Sequence, residues 1–460
     1  MKSKEADKIR DLRLPGPLPR WEQKLAWAVW LSHSAIAFII AYYVSNVKVE
    51  QWIKHWMQPS SYVSGWRVDQ SDAEWSYYRQ TVARLILDYS IHSFAIFLAQ
   101  RIFNTHNARY AMVVIGFFTQ IHMSSFRCVL VLYTFALLVT TLSAAFRSKL
   151  IPWVFCILFI TRAAVYVPFS LGGHIFYREF NIYLYGAIKI LNLCLFLCKN
   201  PQQSYRGVFV ESLLYYAYLP YSMTLIVLFE DFREQFQKKE QNYILKSSSS
   251  FEDYRPVLSF GLRLAFWFFF TEFFLHFIYA NALFNSPFTI INGLNAYEAC
   301  SIAYVAGQFF HVKYVVIFGI PSLFSYIDGM KPPPPPICIS RVSLYSRMWR
   351  HFDAGLYQFL KHQVYIPIMT PKLSPILSVT RNLSALAAVF GVVLAWHGTR
   401  RHYLAWVTLS AIELTIERIG STIWKQNWCQ EIRGKLGENF TRRVIATLML
   451  LTVTPGDPTF

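Results

Sequence analysis

Met348-Trp349-Arg350-His351-Phe352-Asp353 opens the stretch on which the reading of this chain turns, and Ala395-Trp396-His397-Gly398 closes it. Between them lie Leu360-Lys361-His362, Tyr365-Ile366-Pro367 and an apolar run from Leu383 to Trp396 that ends on a lone histidine. The wider segment Ile376 to Trp396 reads as a bilayer span, which takes about 20 predominantly apolar residues. Asp353 and His397, 44 positions apart, are therefore ionisable groups set against hydrocarbon-like sequence. A polar group is costly there, so intramembrane ionisable residues are read first as functional candidates.

Working outward, the 460 residues are 54% hydrophobic and only 15% charged, where soluble domains run nearer ~25% charged. Apolar stretches of spanning length recur along the whole chain, with no separate soluble domain. The formal charge of +18 invites a nucleic-acid reading, but basic residues of membrane proteins gather in cytosolic loops and orient the chain. The seven cysteines show neither metal spacing nor a paired secretory framework. No cleavable signal peptide is expected, because the basic head (residues 1–24) is longer than an n-region.

In chain order, seven Lys/Arg precede a first span near Ala26 to Val47, which places the N-terminus in the cytosol. A tryptophan-rich polar loop follows, with Asp72-Ala73-Glu74-Trp75-Ser76. Apolar stretches run near 82–100, 109–122, 128–146, 150–171, 182–198 and 207–229. The polar insert 230–256 reads as a cytosolic loop whose first half (Phe232, Phe236, Tyr243, Leu245) suits a helix lying on the membrane surface. Leu258 to Leu283 reads as one long span, which puts Glu272, His276 and Tyr279 on one helix face by their spacing of four and three. Two readings fit that face: a satisfied polar seam between helices, or the wall of a reaction chamber. Ala299 to Ile327 is the next span, and five prolines, Pro332 to Pro336, then form a stiff extended lead-in to Cys338. Leu404 to Trp424 is a last full span, and the tail Ile445 to Val453 is too short for another.

These motifs resemble the membrane-bound O-acyltransferase superfamily, and within it the Hedgehog acyltransferases. The Met-Trp-Arg-aromatic-Phe-Asp motif, the Tyr-Ile-Pro and the Trp-His-Gly stand here in that family's order. Relatives such as Porcupine and ghrelin acyltransferase carry asparagine where this chain has Asp353. The loop motif at Asp72 to Ser76 and the Glu272-His276-Tyr279 spacing resemble the family as well. The resemblance implies an all-α polytopic membrane protein: about ten transmembrane helices, with re-entrant or amphipathic helices, around a central chamber in a single domain spanning 1–460. It implies a protein N-acyltransferase that moves palmitate from palmitoyl-CoA to the N-terminal cysteine of a secreted Hedgehog-type protein, in the endoplasmic reticulum membrane. His397 and Asp353 would be catalytic. Trp349, Arg350, Glu272, His276 and Tyr279 would bind substrates, and Cys338 would hold haem iron through its thiolate, a known axial ligand class. Two alternatives stay open, a lipid O-acyltransferase on the same fold and a non-catalytic paralogue. Two departures bear on them: the chain looks shortened at its C-terminus, and Tyr218-Leu219-Pro220 stands where the family has a Gly-Pro pair.

The residues suit that chemistry. An N-terminal α-amine titrates near ~7.7–8.0, and a neutral histidine is suited to take its proton in the transition state. Two roles are open for Asp353, shaping the donor site or orienting a histidine as a triad aspartate does, and a nearby cation is expected to balance its charge. Arg350, a planar bidentate donor, suits a phosphate of coenzyme A. Arg341 is close enough in sequence to favour a thiolate at Cys338. No Walker loop, dinucleotide fingerprint, His-Glu-x-x-His helix or Gly-x-Ser-x-Gly elbow is present.

Overall fold

A computed structural model of the protein describes residues 19–447, apart from 171, 201, 203–204, 246–250, 287, 343, 371–374, 438, 442 and 445–446. Its main helices are α1 (Arg20–Tyr43), α2 (Ala73–Ile102), α3 (Thr105–Met123), α4 (Phe126–Phe146), α5 (Leu150–Tyr166), α6 (Gly173–Lys199), α7 (Tyr205–Ala217) and α8 (Phe229–Leu245). They continue with α9 (Phe251–Phe274), α10 (Ala296–Ile327), α11 (Tyr345–Phe352), α12 (Ala354–Phe359), α13 (Pro375–His397) and α14 (Arg401–Trp424). The one sheet among the described residues is a ribbon pairing Met57–Pro59 antiparallel with Arg67–Asp69.

Polar side chains start the helices. Asp72, Asn104, Ser125 and Asn295 each accept a backbone N–H from the first turn that follows them, opening α2, α3, α4 and α10, a contact worth about 1 kcal/mol apiece. Among the described residues, six helical segments are long and apolar enough to cross a membrane: Arg20–Lys48, α2, α4, α6, Arg255–Phe274 within α9, and α10. The apolar windows of α6 and α10 are 83% and 67% buried inside the protein, against 11% for the first segment. The bundle is therefore organised around α6 and α10, with α1 at its lipid-facing edge. In lipid such contacts are held by close packing and interhelical hydrogen bonds.

Three expectations are corrected here. The span near 207–229 is interrupted: α7 stops at Ala217, Leu219–Tyr221 forms a 3-10 turn, and the chain is buried without regular structure from Ser222 to Leu228. Pro220 cannot continue a helix, so the break forms without a Gly-Pro pair. Irregular backbone at membrane depth is tolerated where protein satisfies its polar groups. Tyr215 Oη donates to the Val227 carbonyl at 2.6 Å, Gln120 Nε2 donates to that of Tyr216 at 2.6 Å, and the Leu219 N–H donates to His92 Nε2 at 3.3 Å. Secondly, α8 does not float on the membrane surface. Phe232 and Phe236 are buried, with Phe232 packed on Tyr215, Tyr218 and Tyr221, and ion pairs Arg109–Glu240 and Arg233–Glu211 pin the helix to its neighbours. The side chains of Tyr243 and Leu245 lie outside the described residues. Thirdly, Leu258 to Leu283 is not one helix, because α9 ends at Phe274 and a turn follows. The tail Ile445 to Val453 lies almost wholly outside the described residues.

Candidate active site

Asp353 sits at the corner where α11 meets α12, with φ −121° and ψ 88°. It caps α12: the Leu356 N–H donates to its Oδ1 at 2.9 Å. Loss of solvent pushes its carboxyl up to about 6, against the pull of the Leu356 and Gly355 N–H groups. The expected counter-cation is not found: among the described residues no basic side chain faces Asp353, and its partners are backbone N–H groups. Gly355 seats the corner against the irregular segment, since a Cβ there would stand 2.4 Å from the Ile226 carbonyl oxygen.

His397 is the last residue of α13, and Gly398 at φ 95° ends the helix as a C-terminal glycine commonly does. The residue as a whole is exposed, while its ring packs against Tyr403 and Trp406. Its ring stands edge-on to Trp406 at 5.2 Å, and Trp406 stacks on Trp349 at 5.5 Å and 17°. The sequence-identified Trp349 and His397 are thus joined by one aromatic contact that α14 supplies. The indole N–H groups of Trp349 and Trp406 are buried without a partner among the described residues. An apolar slot runs up to His397, walled by Ile157 and Ile160 of α5, Ile188 and Leu191 of α6, Leu356 and Phe359 of α12, and Val393 and Trp396 of α13.

Asp353 and His397 do not hydrogen-bond to each other among the described residues, so the triad-like contact is not made. They converge on a shared neighbour instead. Trp396, beside His397, meets Tyr185 of α6 edge-on at 4.9 Å, and Tyr185 lies within electrostatic reach of both Asp353 and Glu74. Sequence reasoning missed Tyr185, because it is one of several aromatic residues in a mainly apolar span and nothing in its spacing sets it apart.

Beyond Tyr185 lies a second polar cluster. Lys313 of α10 is buried and paired with Asp72 at 2.7 Å and Glu74 at 3.0 Å. Tyr314 Oη donates to Glu74 Oε2 at 2.8 Å, and the Tyr314 ring meets Phe352, next to Asp353, at 5.5 Å. Glu272, buried, accepts Trp75 Nε1 at 2.8 Å and Arg79 Nη1 at 3.2 Å. The expected single helix face from Glu272 to Tyr279 does not form, because His276 lies in the turn after α9. Its Nδ1 donates to the Glu272 carbonyl at 2.7 Å, Ser60 bonds its Nε2 at 2.8 Å, and Tyr279 Oη donates to the His276 carbonyl at 3.0 Å. These three residues tie α9 to α2 and the ribbon, and none lines the apolar slot. Arg350 is exposed, with its guanidinium 5.9 Å from the Tyr357 ring. Cys338 is half-buried, with its sulfur 3.2 Å from Ser340 Oγ, and the Arg341 side chain lies outside the described residues.

A helical membrane bundle with a histidine at the end of an apolar slot and an aspartate nearby defines a class. The chain belongs to the membrane-bound O-acyltransferase family, matched over residues 60–448, and it is a multi-pass membrane acyltransferase. Among curated proteins it is similar to protein-cysteine N-palmitoyltransferase HHAT of Mus musculus, 26% identical over 423 residues, which cover 87% of this chain and 81% of that protein. It is also similar to protein-cysteine N-palmitoyltransferase Rasp of Drosophila melanogaster, 30% identical over 194 residues, 41% of this chain and 38% of Rasp. A further relative is protein-cysteine N-palmitoyltransferase HHAT-like protein of Mus musculus, 27% identical over 38% of this chain and 33% of that protein.

Proposed function

We propose that the protein transfers palmitate from palmitoyl-CoA to the N-terminal cysteine amine of a secreted Hedgehog-type signalling protein, in the endoplasmic reticulum membrane. The observation that carries this reading is His397 at the end of a slot otherwise walled only by apolar and aromatic side chains. The mouse and fly relatives are named protein-cysteine N-palmitoyltransferases, which supports palmitate as the acyl group and a protein cysteine nitrogen as the acceptor.

In this mechanism the acyl chain enters by parting the apolar walls of the narrow slot, which sets the thioester carbonyl beside His397. The acceptor nitrogen attacks that carbon, the C–N bond forms and the C–S bond breaks. His397 takes the proton leaving nitrogen and returns it to the coenzyme A sulfur. Positioned proton transfer supplies roughly 100- to 10,000-fold, and holding thioester and amine together adds several kcal/mol more. Asp353 shapes the corner that Leu356 and Phe359 extend into the slot. Trp349 packs behind His397 through Trp406, and Arg350 addresses a coenzyme A phosphate. Glu272, His276 and Tyr279 serve the acceptor side by fixing the start of α2.

Haem at Cys338 belongs to the same proposal. The half-buried Cys338 thiol would hold the iron, and nearby His311 of α10, facing the backbone at Pro336 and Ile337, has a buried Nε2 without a partner among the described residues. Bound there, haem would be structural, since amide formation needs no electron transfer. The test of the whole reading is transfer of labelled palmitate by purified protein to an N-terminal-cysteine peptide. Labelling of a sterol or lysophospholipid instead would overturn it.

A further inference from the structure

The groups around Tyr185 and Lys313 carry more negative than positive charge. Asp72, Glu74 and Asp353 are three carboxylates, and among the described residues Lys313 is the one cation paired with any of them. The other bases nearby are committed elsewhere: Arg79 to Glu272, and Arg350 over Tyr357. Glu74 is also open to a ligand. Its side chain is 33% exposed, both of its contacts fall on Oε2, and Oε1 has no partner among the described residues. A second, independent feature lies beside it. Tyr177 is within electrostatic reach of Glu74, its ring meets that of Tyr78 at 6.4 Å, and both hydroxyls are buried with no hydrogen-bond partner among the described residues. Unpaired buried polar groups and unbalanced carboxylates are both costly, and one ligand carrying positive charge and N–H donors would relieve both.

We propose that Glu74 is the acceptor-positioning residue: its free Oε1 receives the N-terminal ammonium of the acceptor, which gives up one proton to solvent on leaving Glu74 and moves on toward Asp353 and His397 as the neutral amine that attacks. This inference rests on the acyl-transfer reading above. It assigns the choice of an amine over a neutral hydroxyl to a charge on the first turn of α2, away from the reacting atoms. Charge-assisted hydrogen bonds are about twice as strong as neutral ones, so the amine is preferred before chemistry begins.

The test is binding without donor, measured for an N-terminal-cysteine peptide and for its des-amino counterpart, a 3-mercaptopropionyl peptide with the same sequence. Wild type should bind the amine peptide about tenfold more tightly, and E74Q should bind the two alike. Glutamine keeps the shape and still accepts from Tyr314, so general damage would weaken both peptides and leave their ratio intact. E74D, which retains the charge one methylene short, should recover part of the preference. An E74Q protein that keeps the wild-type ratio overturns the inference alone. Wild type that binds the peptide but never acylates it, given palmitoyl-CoA, overturns the acyl-transfer reading instead.

Discussion

Gly355→Ala tests whether the Asp353 corner is set by close packing. The added Cβ would stand 2.4 Å from the Ile226 carbonyl oxygen, and real Cβ atoms essentially never approach below 3.0 Å. The corner must therefore move by at least 0.6 Å, and the obstacle is backbone, which cannot rotate away. Overpacking of this kind costs roughly 1–3 kcal/mol. Leu356 and Phe359 line the slot from the same short helix, so the shift also moves the donor wall, where a displacement near 1 Å can cost about 100-fold in rate. Gly391→Ala is the control. It lies on α13 with His397, a Cβ there meets nothing within 4 Å, and losing a helical glycine should stabilise by about 0.5–1 kcal/mol. Thermal unfolding in detergent and palmitoyl transfer to a cysteine peptide are measured side by side. Gly355→Ala should lose both melting temperature and rate, and Gly391→Ala neither. A Gly355→Ala protein with wild-type melting and turnover would refute the packing argument.

His397→Ala should lose roughly 100- to 10,000-fold in transfer rate while palmitoyl-CoA still binds, as read by single-turnover and binding assays; wild-type turnover removes the base assignment. Asp353→Asn should leave melting unchanged, because asparagine also caps a helix, yet should cut transfer by about tenfold or more, because the negative charge that faces Tyr185 on the acceptor's way to His397 is lost; full activity would show that shape alone matters at this corner. Cys338→Ala should abolish a Soret band in protein purified from haem-replete cells, with melting temperature falling before turnover. Wild type without Soret absorbance excludes the haem.

Residues set apart by local order were legible in the sequence as candidates, and those brought in by packing were not. His397 and Asp353 stood out because ionisable groups are costly in apolar runs. Trp349 stood out by its motif, but its link to His397 runs through Trp406, which no spacing indicates. Tyr185 was hidden in α6, where an aromatic residue among apolar ones looks like ordinary packing. The break after Ala217 was also hidden, because the groups that satisfy it, Gln120 and His92, come from helices more than 90 residues away in sequence. The Glu272-His276-Tyr279 spacing suggested a helix face, yet the helix ends at Phe274 and the turn's own hydrogen bonds hold the three residues together.

The central claim is that His397 and its slot make an amide on an N-terminal amine. Its most direct measurement gives purified protein labelled palmitoyl-CoA with four acceptors: an N-terminal-cysteine peptide, its N-acetylated form, a sterol and a lysophospholipid. The account predicts label on the free-amine peptide alone, resistant to hydroxylamine as an amide is, and absent in His397→Ala. Label on the sterol or lysophospholipid, or equal labelling of the acetylated peptide, would contradict it.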